Sequence, residues 1–147
     1  MSERNMTESD HQWIIDSIGM AWGFVIESGA MEEPEELIGA PPVTALDRAL
    51  TAWHQLPNKS RSEERKLIQA LGHTVAYHLS QVTGGYWCYV DGERGEELVV
   101  KGPNGEIFSP IREATALLRQ NKSKDFVFGL YHRALHRLEG QPLENAA

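Results

Sequence analysis

The stretch "GGYWCYVDGERGEELVVKGPNGEIFSPI", residues 84–111, decides the fold of this 147-residue chain. Its aromatic and β-branched residues are typical of strands, and Asn104-Gly105 is the strongest hairpin signal in the sequence. We therefore predict a three-stranded antiparallel meander, with strands at residues 86–90, 97–101 and 106–109. Three short strands cannot form a domain alone, so the flanking segments must supply the rest of the core.

Apolar residues at helical spacing predict helices on both sides of this meander. Three helices precede it, at residues 9–27, 43–56 and 62–82, and two follow it, beginning at Pro110 and Asp125. The expected fold class is α+β, with about five α-helices packed on the meander in the order ααα-βββ-αα. Within the first helix, Gly19 and Gly23 lie four residues apart, which predicts a close approach by another backbone.

The chain length fits a single domain. We expect that domain at residues 9–140, between a disordered N-terminus (1–8) and a disordered tail (141–147). It divides into an acidic helical part (9–57) and a core of helix, meander and helices (58–140).

The net charge of −7 is unevenly distributed along the chain. Residues 1–57 carry ten acidic and two basic side chains, whereas the remainder is close to neutral. An acidic surface repels phosphates, so the composition disfavours nucleic acid as a partner and favours a protein with a basic surface. The alternative is that the acidic residues only keep the protein in solution.

Two acidic segments and one aromatic pair are the candidate partner-binding residues. The acidic segments are a proline-interrupted run after the first helix and the loop between the first two strands. Trp87 and Tyr89 point to one face of the sheet, and aromatic residues dominate binding hot spots if that face is open. Helices that cover both faces are the alternative. The full set is Glu32, Glu33, Glu35, Glu36, Trp87, Tyr89, Asp91, Glu93, Glu96 and Glu97.

No motif predicts catalysis, a metal or a cofactor. Counted from Asp91, the acidic loop lacks the ligands and the glycine of a calcium-binding loop. Cys88 lies among apolar strand residues, which favours a core thiol over a nucleophile. His132 and His136 lie one helical turn apart, but Arg133 replaces the glutamate of a zinc protease motif.

The sequence also limits the compartment. It has one cysteine, which excludes an internal disulfide, and its polar start lacks the basic and apolar regions of a secretory signal. No apolar stretch is long enough to cross a bilayer. We therefore expect a cytoplasmic protein without a membrane partner.

From Leu71-Gly72 onward the chain resembles a small uncharacterised bacterial α+β domain family. The shared pattern is the helix carrying Leu71-Gly72, then "GGYW" at residues 84–87, the meander, and Pro110-Ile111 opening a helix. The resemblance covers about residues 65–138; it implies an α+β fold and supplies no catalytic residues. In size and acidity the chain also resembles the immunity proteins that neutralise bacterial toxins.

Three functional hypotheses remain open at this point. The first is a non-enzymatic protein-binding domain, in particular an immunity or inhibitor protein for a basic toxin. The second is a small enzyme or ligand-binding domain with a pocket between sheet and helices, using His78, Tyr86 and Cys88. The third is a homodimeric structural protein that associates through Trp13, Trp22 or Trp53.

Overall fold

A computed structural model describes residues 3–57, 59–92, 95–120 and 126–139. Within these ranges the chain forms an α+β fold of five helices and one four-stranded antiparallel sheet. The helices are α1 (Glu8–Glu27), α2 (Val43–His54), α3 (Arg61–Thr83), α4 (Pro110–Gln120) and α5 (Phe126–Glu139). The strands are β1 (Glu3–Arg4), β2 (Tyr86–Gly92), β3 (Gly95–Lys101) and β4 (Ile107–Phe108).

The predicted α+β class and the five helices are confirmed, whereas the three-stranded sheet is wrong in its strand count. The strand order is β1-β2-β3-β4, and Glu3 and Arg4 add the extra strand by pairing with Val90 and Tyr89. These two residues lie inside segment 1–8, for which the sequence predicted no structure. Two charged residues have low strand propensity, so their sequence does not predict a strand. Their position depends instead on side-chain partners in β3.

The β3–β4 hairpin is confirmed, although β4 is shorter than predicted. Gly105 has a φ of 86°, a left-handed conformation that glycine adopts without strain. The Gly102 nitrogen donates to the Glu106 carbonyl at 2.8 Å and closes the turn. The Asn104-Gly105 pair therefore marks the turn, as its sequence indicates.

The long helix α3 is the centre of the fold and contacts α1, α4, α5 and β3. Its first turn is capped by the Ser60 hydroxyl, which accepts a 3.1 Å hydrogen bond from the Glu63 nitrogen. It ends at Gly84, whose φ of 73° is the left-handed conformation of a helix C-cap. Between these ends, ten residues of α3 are buried, and their apolar side chains belong to the main core.

The glycines of α1 and α3 show where one helix backbone closely approaches another. At Gly72 of α3, a Cβ atom would lie 2.4 Å from the Pro110 carbonyl oxygen, so α4 begins directly against the α3 backbone. The predicted close approach at Gly19 and Gly23 is wrong, because nothing lies within 4 Å of a Cβ at either position. The two α1 glycines face open space instead.

The two faces of the sheet are buried differently. Trp87, Val100 and Phe108 share the inner face, which packs on the helices as part of the main core. Cys88, Val90 and Val99 form a separate small cluster on the outer face, with Ile107 packed against it. The Trp87–Tyr89 side of the sheet therefore meets the protein's own helices.

Asp47 of α2 supplies a contact that the sequence did not predict. Its two carboxylate oxygens accept hydrogen bonds from the backbone nitrogens of Val127 and Phe128, at 2.6 and 2.9 Å. The predicted start of the last helix at Asp125 and the predicted tail at 141–147 lie outside the described residues. No helix in the described ranges has the length and apolar content needed to cross a membrane.

Candidate functional site

The connector between α1 and α2, residues 28–42, carries the densest group of acidic side chains. Glu32, Glu33, Glu35 and Glu36 are all exposed. In the described part of the chain none of the four makes an ion pair. No lysine or arginine occurs between Arg4 and Arg48, so nothing nearby in sequence neutralises them.

The connector is anchored at both of its ends. The Ala30 nitrogen donates to the Val25 carbonyl at 2.9 Å, directly after α1. Further along, the Trp22 indole nitrogen donates to the Gly39 carbonyl at 3.1 Å. The four glutamates therefore lie on a segment that is fixed against α1 on both sides.

Two large apolar side chains follow the acidic run. Leu37 is 52% exposed and Ile38 is 75% exposed. Ile38 directly precedes Gly39, so its backbone is fixed by the Trp22 hydrogen bond. Acidic and apolar side chains thus share one exposed segment.

The second predicted acidic segment is already partly neutralised within the fold. β2 and β3 pair as far as Gly92 and Gly95, so Asp91, Glu96 and Glu97 lie on strands rather than in a long loop. The Arg4 guanidinium lies 2.8 Å from the Glu96 carboxylate, and that of Arg112 lies 3.9 Å from Glu97. Glu93 lies outside the described residues.

Trp87 and Tyr89 are half-buried by intramolecular contacts. The Trp87 ring lies 5.9 Å from the His73 ring, edge to face. The Tyr89 hydroxyl donates to the Asp10 carboxylate at 2.7 Å, and the Arg4 guanidinium lies 4.0 Å above its ring. Both aromatic rings therefore join the sheet to α1 and α3.

His73 is a titratable side chain that is completely buried. Its Nδ1 lies 2.8 Å from the Ser17 hydroxyl, while its Nε2 is buried without a hydrogen-bond partner in the described structure. The Ser17 hydroxyl donates to the Trp13 carbonyl at 2.9 Å, so its oxygen accepts a hydrogen bond from His73 Nδ1–H. Burial lowers the pKa of His73 to about 4, which keeps the imidazole neutral.

The residues of the predicted enzyme pocket are not brought together. His78 donates from Nε2 to the Pro41 carbonyl at 2.8 Å, on the helical side of the sheet. Tyr86 and Cys88 belong to the opposite, outer face, where the Tyr86 hydroxyl donates to Glu3. Burial raises the pKa of the Cys88 thiol, which opposes its use as a nucleophile.

The histidine pair of α5 has an aromatic neighbour. The His132 ring lies 4.2 Å from the Phe128 ring. Across the described ranges no three His, Cys, Asp or Glu side chains are arranged to hold a metal ion.

A groove of about 690 Å³ opens between the C-terminal ends of α1 and α2 and the start of α3. Its lining is mostly apolar, with Gly23 on the α1 side. The charged side chains at its rim are Glu27, Glu63 and Lys66. The sequence analysis missed this groove, although Gly23 in an apolar helix was its one available signal.

The chain was compared with protein-family models, curated protein sequences and solved structures, and none of them matches it. The resemblance of residues 65–138 to a bacterial domain family, and the likeness to immunity proteins, stay predictions.

Proposed function

We propose that this protein is a non-enzymatic binding protein that takes a basic protein partner on the α1–α2 connector. The observation that carries the proposal is the group of four exposed glutamates without an ion pair, followed by exposed Leu37 and Ile38. Its most specific form is an immunity or inhibitor protein that neutralises a basic toxin.

The connector is a better candidate than the β2–β3 hairpin for electrostatic reasons. Glu96 and Glu97 already have arginine partners, so a basic partner would have to compete with Arg4 and Arg112. The connector glutamates have no such competitor in the described residues, and an incoming lysine or arginine gains the full interaction.

The net charge supports the same partner chemistry. A protein of net charge −7 attracts a basic protein at long range and accelerates its association. Salt screens this attraction, so complex formation should slow as ionic strength rises.

The test compares two variants that each replace four acidic side chains by the matching amide. The connector variant is Glu32→Gln, Glu33→Gln, Glu35→Gln and Glu36→Gln. The control variant is Glu8→Gln, Asp16→Asn, Glu106→Gln and Glu139→Gln, at exposed positions elsewhere. Both variants have a net charge of −3 instead of −7, so they differ only in where the charge is removed.

A partner is captured from native lysate of the source cells, identified, purified and titrated against both variants. We expect the connector variant to bind about tenfold more weakly than wild type and the control to change little. A captured partner with an acidic surface, or equal affinities for the two variants, would refute the proposal. A toxin-like reading frame beside this gene would supply the partner for the immunity form.

A further inference from the structure

We propose that the groove between α1, α2 and α3 docks an amphipathic helix of the basic partner. The apolar face of that helix would fill the groove, and its basic edge would lie along α1 and the connector. This inference rests on the proposed function and specifies how the partner is recognised.

The first support is the shape and chemistry of the groove. Its volume of about 690 Å³ lies in the range of sites that enclose a ligand or a set of anchor side chains. An apolar groove between helices is the surface that an amphipathic helix recognises with anchors at helical spacing. The apolar lining residues are Met20, Phe24, Ala52, Trp53, Leu56, Leu67 and Ala70.

The second support is Gly23, which holds the groove open. Glycine inside a helix costs about 1 kcal/mol relative to alanine. No close packing accounts for that cost, because a Cβ at Gly23 would meet nothing within 4 Å. The missing side chain instead leaves space on the α1 wall of the groove.

The third support is the charge of that wall. Glu27 lies in the last turn of α1, where the helix dipole disfavours a negative charge, and that turn contains no basic residue. In the described residues Glu27 makes no ion pair. Ser28, the first residue of the connector, also lines the groove, so the acidic segment begins beside its α1 wall.

The opposite wall defines the other edge of the docked helix. The start of α3 mixes Arg61, Arg65 and Lys66 with Glu63 and Glu64, and only Glu63 and Lys66 reach the groove. The two charges that reach the groove from this wall therefore cancel. The partner helix should therefore carry lysine or arginine on the edge facing α1, with an acidic side chain tolerated opposite Lys66.

A second copy of this chain is the less favourable occupant. Two copies would each bring a charge of −7, and they would bring two concave surfaces together. Self-association is therefore one outcome of the test that would contradict the proposal.

The central variant is Gly23→Leu, which places a side chain on the α1 wall of the groove, where a Cβ meets nothing within 4 Å. Its matched control is Gly19→Leu, on the same helix one turn earlier, where a Cβ also meets nothing and which does not line the groove. Circular dichroism and thermal unfolding check that both variants keep the fold.

The probe is a synthetic amphipathic peptide of about 14 residues, leucine on one face and lysine on the other, with a scrambled peptide of equal composition as its control. Binding is followed by amide NMR shifts and by titration. We expect Gly23→Leu to weaken binding of the amphipathic peptide about tenfold and Gly19→Leu to leave it within about twofold. The shifts should map to the ends of α1 and α2 and the start of α3.

A pair of charge variants tests the polarity of the groove. Glu27 and Lys66 are both exposed and lie on its two walls. For the lysine-rich peptide, Glu27→Gln should weaken binding and Lys66→Gln should strengthen it, each about two- to threefold. If both variants weaken peptide binding, or both strengthen it, the proposed difference in charge between the two walls is wrong.

The outcomes separate this inference from the proposed function. Scrambled and amphipathic peptides that bind equally, with shifts confined to residues 32–38, would overturn the groove and leave the acidic connector in place. If the connector variant binds the captured partner as tightly as wild type does, the proposed function is wrong, and the groove proposal that depends on it is wrong too. A concentration-dependent dimer in sedimentation that Gly23→Leu abolishes would assign the groove to a second copy.

Discussion

Asp47 of α2 accepts two hydrogen bonds from the first turn of α5, at 2.6 Å from the Val127 nitrogen and 2.9 Å from that of Phe128. The first backbone N–H groups of a helix have no partner inside it, and the positive end of its dipole favours a carboxylate. Because Asp47 is only 7% exposed, these bonds form in a poorly hydrated environment. One side chain thus joins helices that are 80 residues apart in sequence.

Removing this carboxylate should destabilise the fold strongly. Asp47→Ala removes the acceptor of one buried and one part-buried backbone N–H, and we expect a loss of about 2–4 kcal/mol in the free energy of unfolding. Asp47→Asn keeps one acceptor and should cost less. Urea denaturation measures both, with Asp16→Ala on the exposed face of α1 as control, expected to change stability by less than about 0.5 kcal/mol. Equal effects at the two positions would disprove the role of Asp47.

Gly72 and Gly19 should respond oppositely to the same substitution. Gly72→Ala places a Cβ 2.4 Å from the backbone oxygen of Pro110, so α3 and α4 must separate, at a cost of about 2 kcal/mol or more. Gly19→Ala meets no atom and should stabilise the protein by up to about 1 kcal/mol. Thermal unfolding of the two variants checks the prediction, which a lower melting temperature for Gly19→Ala would contradict.

His73 should make the fold sensitive to mild acid. Its pKa is about 4 in the folded protein and ordinarily 6.5, so the unfolded chain takes up the proton first as pH falls. The contribution of neutral His73 to the free energy of unfolding is fully present above pH 6.5. It is lost progressively down to pH 4, and the loss at pH 5 is about 2 kcal/mol. Urea denaturation from pH 7 to 5 measures this loss. His73→Phe should flatten the dependence, and an unchanged slope in that variant would contradict the assignment.

Tyr89 should control the titration of Asp10. The Thr7 backbone N–H, followed by the Tyr89 hydroxyl, lowers the pKa of the Asp10 carboxyl. Tyr89→Phe removes one donor but keeps the ring beneath Arg4, so the pKa of Asp10 should rise toward its ordinary value and stability should fall by about 1 kcal/mol. Carboxyl-carbon NMR titration reads this pKa directly. An unchanged value would show that the 2.7 Å contact does not persist in solution.

Cys88 should react slowly with thiol reagents in the native protein. It is 1% exposed, and burial raises the pKa of its thiol, so both access and thiolate content are low. We expect the thiol to react rapidly only after unfolding in urea. Native reaction at the rate of a free cysteine would mean that the outer face of the sheet is open.

The sequence predicted the elements that local chemistry specifies. The Asn104-Gly105 turn depends on neighbouring residues alone, and the structure confirms it. Helical apolar spacing likewise predicted the five helices. These features need no knowledge of the rest of the chain.

Features that depend on distant residues were missed. β1 has two charged residues, and its position depends on Glu96 and Lys101, which lie more than 90 residues away. The side of the sheet that the helices cover was also left undecided, because alternation defines two faces without saying which one is buried. The groove was not predicted for the same reason, because a glycine such as Gly23 gives the same sequence signal whether another backbone or open space lies beside it.

The anchoring of the connector has a consequence for how this sequence can change. It is held by two backbone-directed bonds, Ala30 to Val25 and Trp22 to Gly39, and neither uses a side chain between residues 31 and 38. Met31 packs against the core, but the seven positions 32–38 can mutate with little cost to folding, while α1 stays packed by Ala21, Trp22 and Val25. A duplicated gene could acquire a new binding preference there while the scaffold remains under purifying selection.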